Sequence, residues 1–274
     1  MARTLPARHV RDNRGETISA AFDLFVRETM LPGLIVPAAG AAAAVISAAF
    51  LAVFLVSGSA AVAGDRVTIA GFAIDRTEVT IARFRAYIAA AGQPTAAERA
   101  GGGFEYVAGW TRRPGWTWAA PYGEAGGDDE PAVHVTWAEA QAYCKHRGGR
   151  LPTFVEWSRA AYEESRSAPA DGFVRGRTYT YPVGEDPDGM NAGARRHVAV
   201  ATTRRGVNGL YDMGANVWEW IADRRGDQAL TAGGSWWYGP SKTRRDGAQW
   251  KSADFYAVYI GFRCAYDPAG SAPR

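Results

Sequence analysis

The sequence predicts an α+β domain with much irregular structure, preceded by one N-terminal transmembrane helix. Three observations predict it. Capping signals mark only three helices, the strand-like runs are short, and 32 Gly and ten Trp are spread through long intervening loops. Many aromatics joined by Gly-rich turns argue against a helical bundle. Hydrophobic residues make up 47% of the 274, so a sizeable core is available and wholesale disorder is excluded. The formal net charge is only +3, too balanced for a nucleic-acid partner.

The N-terminal element comes first. No charged residue occurs between Glu28 and Asp65, and Leu34 to Val56 is almost entirely Ala, Val, Ile, Leu and Phe. About 20 such residues at about 1.5 Å each span a bilayer core. Gly33 and Pro37 loosen the start, so the continuous part runs from Ala38 to Val56. The leader, residues 1–30, carries Arg3, Arg8, Arg11, Arg14 and Arg27, which keeps it cytoplasmic and places the remainder on the exported face. Residues 31–64 then read as a signal anchor or as a signal peptide. Ala61-Val62-Ala63 before Gly64 fits a small-x-small cleavage site, which would make the protein secreted. The long polar leader favours the uncleaved anchor. The expected domain is 65–274.

Within it, Thr80 caps a helix running through Ala91 to Gly92, with Ile81, Phe84, Tyr87 and Ile88 on one face. Thr136 with Glu139 forms a capping box for a second helix that stops at Gly148-Gly149. Thr153 with Glu156 forms another, followed by Trp157, Ala160 and Ala161. Strands are expected at Arg66 to Ile74, Ala132 to Val135, Val198 to Thr202 and Ile260 to Ala265. Gly101 to Gly127 and Phe173 to Gly193 read as loops, and loops that long are usually functional or ligand-fixed.

The chemistry-bearing residues are few. His134, His146 and His197 show no HxxxH or HxH spacing, and ordinary hydrogen-bonded histidines are expected. There is no GxSxG elbow, no phosphate-binding loop and no dinucleotide fingerprint. Two cysteines, Cys144 and Cys264, exclude a four-cysteine zinc site and an all-cysteine iron–sulfur cluster. On an exported face the default is that they pair, and one of them as a free reactive thiol is the alternative. Asn208-Gly-Leu-Tyr-Asp-Met-Gly-Ala-Asn-Val-Trp-Glu-Trp220 supplies Asp212, Asn216 and Glu219 around a sharp turn at Gly214. Hard oxygens on an irregular loop suit calcium; a turn with solvated acids is the plain alternative.

That segment resembles the formylglycine-generating enzyme family, also called sulfatase-modifying factor domains. So do Phe72 to Thr80, Pro131 to Cys144, Gly149 to Trp157, Gly233-Gly-Ser-Trp236 and Gly261-Phe-Arg-Cys264, in the family's order. The resemblance implies a C-type-lectin-like α+β fold. It implies a structural disulfide between Cys144 and Cys264. It implies calcium held by the side chains of Asp212 and Glu219 and the carbonyls of Ala215 and Val217. A second family calcium site begins at an Asn-hydrophobic pair, matched by Asn191-Ala192, but the following Arg195 to Val207 carries no acid.

The resemblance also defines what is missing. Oxidising members place two cysteines after the Gly-Gly-Ser stretch, where they bind copper(I) and turn a substrate cysteine into formylglycine with dioxygen. This chain has Tyr238 and Thr243 at those positions. A hydroxyl does not replace a soft thiolate for copper(I), so copper is not expected. The groove candidates are Ser235, Trp236, Tyr238, Thr243, Arg244 and Arg245, with Asp246 and the aromatics Trp116, Trp118 and Trp237. Two functions compete. One is an oxidative-maturation or accessory factor for an unknown exported protein, peptide or metabolite, like the exported pyoverdine-maturation and nitrite-reductase accessory relatives. The other is a non-catalytic, calcium-stabilised binding module.

Overall fold

The computed structural model describes residues 65–268. The leader, the apolar segment and the cleavage motif lie outside the described residues. Among the described residues, no helix is long and apolar enough to cross a membrane.

The described residues begin with a hairpin rather than the single strand expected over 66–74. Strands β1 (Arg66–Ile69) and β2 (Phe72–Asp75) pair antiparallel around Gly71, whose φ of 89° suits a residue without a Cβ. Helix α1 (Ile81–Ala91) starts where Thr80 accepts a hydrogen bond from the Arg83 amide and stops at left-handed Gly92. A short helix α2 (Ala96–Arg99) follows, with a Thr95–Glu98 capping box that the sequence reading passed over. The expected loop after Gly101 contains an antiparallel hairpin of β3 (Gly102–Tyr106) and β4 (Trp110–Pro114). Its glycines hid it, because Gly weakens strand propensity without forbidding a strand.

Helices α3 (Trp137–His146) and α4 (Phe154–Tyr162) both carry the predicted capping boxes. Strands β5 (Trp218–Arg225), β6 (Gln228–Ala232), β7 (Gln249–Ser252) and β8 (Ile260–Gly261) form a sheet in the order β7-β6-β5-β8. Strand β9 (Ala265–Tyr266) closes on β2, giving the order β1-β2-β9.

Two predicted strands are absent. Over 132–135 the run is broken by His134, whose φ of 57° is left-handed. Its neighbours bond elsewhere, Ala132 N–H to the Val79 carbonyl and His134 N–H to the Ala257 carbonyl. Over 198–202 Ala201 is left-handed at φ 61°, and the backbone donors go to side chains: Val198 N–H to Asn216 Oδ1 and Ala201 N–H to Asp212. The predicted run 260–265 is divided between β8 and β9, because Phe262, Arg263 and Cys264 cross from one sheet to the other.

The main core lies between α1, α3 and the large sheet. Phe84, Tyr143 and Phe262 pack there with ring centroids 5.3 to 6.0 Å apart. The Cys144–Cys264 disulfide sits in the same cluster, tying α3 to the segment before β9. A second apolar cluster joins β1 and β2 to α4 through Ile69, Ile74, Trp157 and Ala161.

Candidate functional site

The loop 208–219 turns back on itself through left-handed Asn208, Asp212, Ala215 and Asn216, with φ between 47° and 65°. Such angles are uncommon outside Gly, and surrounding bonds must hold them. Asn208 donates to the Ala160 and Glu163 carbonyls at the end of α4. Asp212 accepts from the Ala201 amide at 2.8 Å and the Thr203 hydroxyl at 2.6 Å. The acid-free loop 195–207 therefore wraps donors around Asp212. Asn191 donates to the Arg196 carbonyl and to Asn216 Oδ1. Asn191 is thereby tied to the 208–219 loop through Asn216.

Glu219 and Arg263 form a bidentate ion pair at 2.7 and 2.8 Å, at 1% and 0% exposure. Glu219 also accepts from Trp157 Nε1 at 2.8 Å, and Arg263 donates to the carbonyls of Asp75 and Tyr211. Glu78, fully buried, accepts from Asn216 Nδ2 at 2.7 Å and from the Val217 amide at 3.1 Å. Sequence reasoning missed Glu78 and Arg263. For Arg263 the available signal was a charge between apolar neighbours, for charges are rarely buried without a task, whereas Glu78 follows Asp75, Arg76 and Thr77 and carries no such mark.

Among the described residues, three buried carboxylates, Glu78, Asp212 and Glu219, thus gather at this loop, and Glu219 is ion-paired to Arg263. Burial, and then repulsion from Asp212 and Glu219, pushes the Glu78 carboxyl well above the usual range. Burial pushes Asp212 up as well. Burial in each case disfavours the charged carboxylate. Among the described residues, no set of three His, Cys, Asp or Glu side chains is arranged to hold a metal. Both Glu219 oxygens are taken by Arg263, one of them also by Trp157, and both Asp212 oxygens by Ala201 and Thr203.

Tyr238 and Thr243 are the positions at which the resemblance places the oxidising members' cysteines. The chain's two cysteines are joined to each other, with Cα atoms 5.4 Å apart, so no thiol remains. Thr243 is fully buried, donates to the Pro240 carbonyl and receives Tyr162 on its own carbonyl. Tyr238 is half-buried and stacks edge-on against Trp218 at 5.6 Å. The expected groove set divides. Ser235, Trp236 and Trp118 are buried, and Trp118 packs on Phe84 in the core. Arg244, Arg245 and Asp246 line a separate cleft of about 250 Å³ with Tyr162 and Thr178 to Thr180.

What remains at the surface is an aromatic rim. Tyr106, Trp110 and Trp237 are each 44–50% exposed. They join through Tyr259, with centroids 5.4 to 6.2 Å apart, and Tyr259 takes the Tyr106 amide on its hydroxyl. Tyr106 and Trp110 come from the unpredicted β3–β4 hairpin.

Beside the rim runs a hydrogen-bond chain that sequence spacing hid. His197 Nε2 donates to Glu130 at 2.8 Å, and Tyr122 OH donates to His197 Nδ1 at 3.2 Å. Arg196 lies over the Tyr122 ring at 4.4 Å. Burial holds His197 below its ordinary pKa, and the bond from His197 holds Glu130 low. The partners are far apart in sequence, so no local motif marks them.

His134 yields a pH prediction. It is fully buried, its Nε2–H donates to the Pro121 carbonyl at 3.0 Å, and its Nδ1 has no partner. Burial pushes its pKa down to about 4. The folded state keeps it neutral while the unfolded chain takes up a proton below about pH 6.5. The His134 contribution to stability is therefore complete above pH 6.5 and declines as pH falls toward 4, by up to about 1.4 kcal/mol per unit. Urea unfolding at pH 7 and pH 5 measures it. His134→Asn, which tolerates the left-handed backbone, should flatten this part of the profile.

Comparison with known proteins identifies the family. The model of the sulfatase-modifying factor enzyme 1-like domain matches residues 25–268. The chain is 30% identical over 257 residues to the formylglycine-generating enzyme of Thermomonospora curvata, covering 74% of this chain and 84% of that protein. It is 31% identical over 243 residues to the inactive C-alpha-formylglycine-generating enzyme 2 of Mus musculus, covering 73% and 76%. The solved structure of PvdO from Pseudomonas aeruginosa superposes with a TM-score of 0.50 at 22% identity, over 72% of this chain and 80% of that one, a likeness of fold alone. By its ordered sequence blocks, its disulfide and this match across most of its length, the chain belongs to the sulfatase-modifying factor enzyme 1-like domain family.

Proposed function

We propose that this chain is an exported, membrane-anchored relative of formylglycine-generating enzyme. It serves as an oxidative-maturation or accessory factor for another exported protein or metabolite, on a C-type-lectin-like scaffold and without copper–dithiol chemistry. One observation carries the reading. Both cysteines are joined in the core disulfide, while Tyr238 and Thr243 stand where oxidising members would keep copper-binding thiols. A disulfide also suits an exported domain, and the apolar run from Leu34 to Val56 suits an anchor. A relative named inactive is in keeping with such divergence.

The test is direct. The full chain, supplied with copper(I) and dioxygen, is expected to leave a sulfatase-type cysteine peptide unchanged by mass spectrometry. Conversion of the cysteine to formylglycine would overturn the reading.

A second reading, a non-catalytic binding module, is favoured by the exposed rim of Tyr106, Trp110 and Trp237. Both readings include calcium in the 212–219 loop. Calcium at about 100 times its Kd is expected to add about 2.7 kcal/mol, or roughly 5–10 °C in Tm for a domain of this size. Asp212→Ala should abolish that shift in a thermal melt; an unchanged wild-type Tm in calcium would remove the ion from the account.

A further inference from the structure

Lys251 on β7 is half-buried, and its ammonium lies 4.5 Å from the ring of Trp218. Its Nζ donates to Gln249 Oε1 at 2.9 Å. Among the described residues, no carboxylate lies within 4 Å of it. Tyr238 also packs on the Trp218 ring, edge-on at 5.6 Å. The amine therefore sits one ring away from the position of the first missing thiol. Trp218 is 1% exposed, and its Nε1 has no hydrogen-bond partner. Tyr238 is half-buried and adjoins exposed Trp237 in the chain, which links the assembly to the aromatic rim.

We propose that Lys251 is a carbonyl-capturing amine, whose Nζ forms an imine with an aldehyde or ketone carried on an apolar group that packs against the aromatic rim. The inference is independent of export, anchoring and the identity of any partner. A lysine that has lost water without gaining a carboxylate is easier to deprotonate. Burial, helped by repulsion from Lys242, lowers its pKa to about 8. Trp218 and Gln249, which also touch it, favour the ammonium through the ring face and a hydrogen bond but bring no counter-charge. About a tenth of the amine is then neutral at pH 7, against less than about a thousandth for an ordinary lysine. In the step itself the Nζ lone pair attacks the carbonyl carbon, and the C=O π pair moves to oxygen. The carbinolamine then loses that oxygen with both amine hydrogens as water, leaving C=N. No oxidant or reductant is needed, and desolvated lysines are known to act in this way.

The chain has only three lysines, so Lys145 and Lys242 serve as internal controls. The full-length protein is treated with benzaldehyde and sodium cyanoborohydride, which reduces the imine to a stable benzylamine, and the lysines are compared by peptide mass mapping. Lys251 is expected to be labelled at least about tenfold faster than either control at pH 7. Its rate should rise with a midpoint near pH 8. The preference should vanish in urea, and Lys251→Arg should leave no label at that position. Equal labelling of the three lysines in the folded protein, or a preference that survives unfolding, would overturn the proposal.

Discussion

Arg263→Met is expected to destabilise the domain by about 3–5 kcal/mol, the usual cost of stranding one member of a buried ion pair. Arg263 is fully buried, and its guanidinium holds both oxygens of Glu219. It also holds the Asp75 carbonyl at the end of β2 and the Tyr211 carbonyl at the start of the sharp loop. Methionine fills much of the volume but offers no donor. Among the described residues, the Glu219 side chain would keep Trp157 Nε1, and the carbonyls of Asp75 and Tyr211 would lose their bonds from Arg263. Chemical denaturation measures the loss. Glu219→Gln combined with Arg263→Met should cost less than the two single changes added together, because the stranded charge is then removed. A single Arg263→Met variant within about 1 kcal/mol of the parent would contradict this account of the loop.

The second large effect concerns the disulfide. Cys144 and Cys264 are 120 residues apart and fully buried. Closing a loop of that length restricts the unfolded chain by about 4–5 kcal/mol in the entropy model. The paired variant Cys144→Ala/Cys264→Ala should lose about that amount, which for a domain of this size is roughly 10–15 °C in Tm. The cross-link matters here because much of the described chain is irregular loop with few ladder hydrogen bonds of its own. If urea unfolding placed the oxidised protein and the variant within about 1 kcal/mol, the disulfide would be incidental to the fold.

Local signals were legible where local chemistry decides. Thr80, Thr136 and Thr153 announced helices α1, α3 and α4, because a cap needs only a hydroxyl and the amides three residues on. The strands were less legible. Thr68 pairs with Ala73 across a turn, and that much could be read locally. Strand β5 pairs in parallel with β8, and its partner comes from a distant stretch, so no local period shows it. Val198 to Thr202 has strand composition, yet Asn216 and Asp212 take its amides. The tertiary surroundings overrode propensity there.

The same division holds for the site. From residue types alone, the chain holds two cysteines and carries Tyr238 and Thr243 where the resemblance places the oxidising members' thiols, and no fold can supply a sulfur at those two positions. The cysteine pairing, expected from the resemblance, was decided by geometry within the core. Only the tertiary structure decided which groups meet. It placed Glu78 beneath the 212–219 loop, joined Glu219 to Arg263, and aligned Tyr122, His197 and Glu130. It also buried Ser235 and Thr243 while exposing Tyr106 and Trp110, and set Lys251 on Trp218. The physical reason is that burial and pairing between distant segments are properties of packing, which a sequence read locally does not contain.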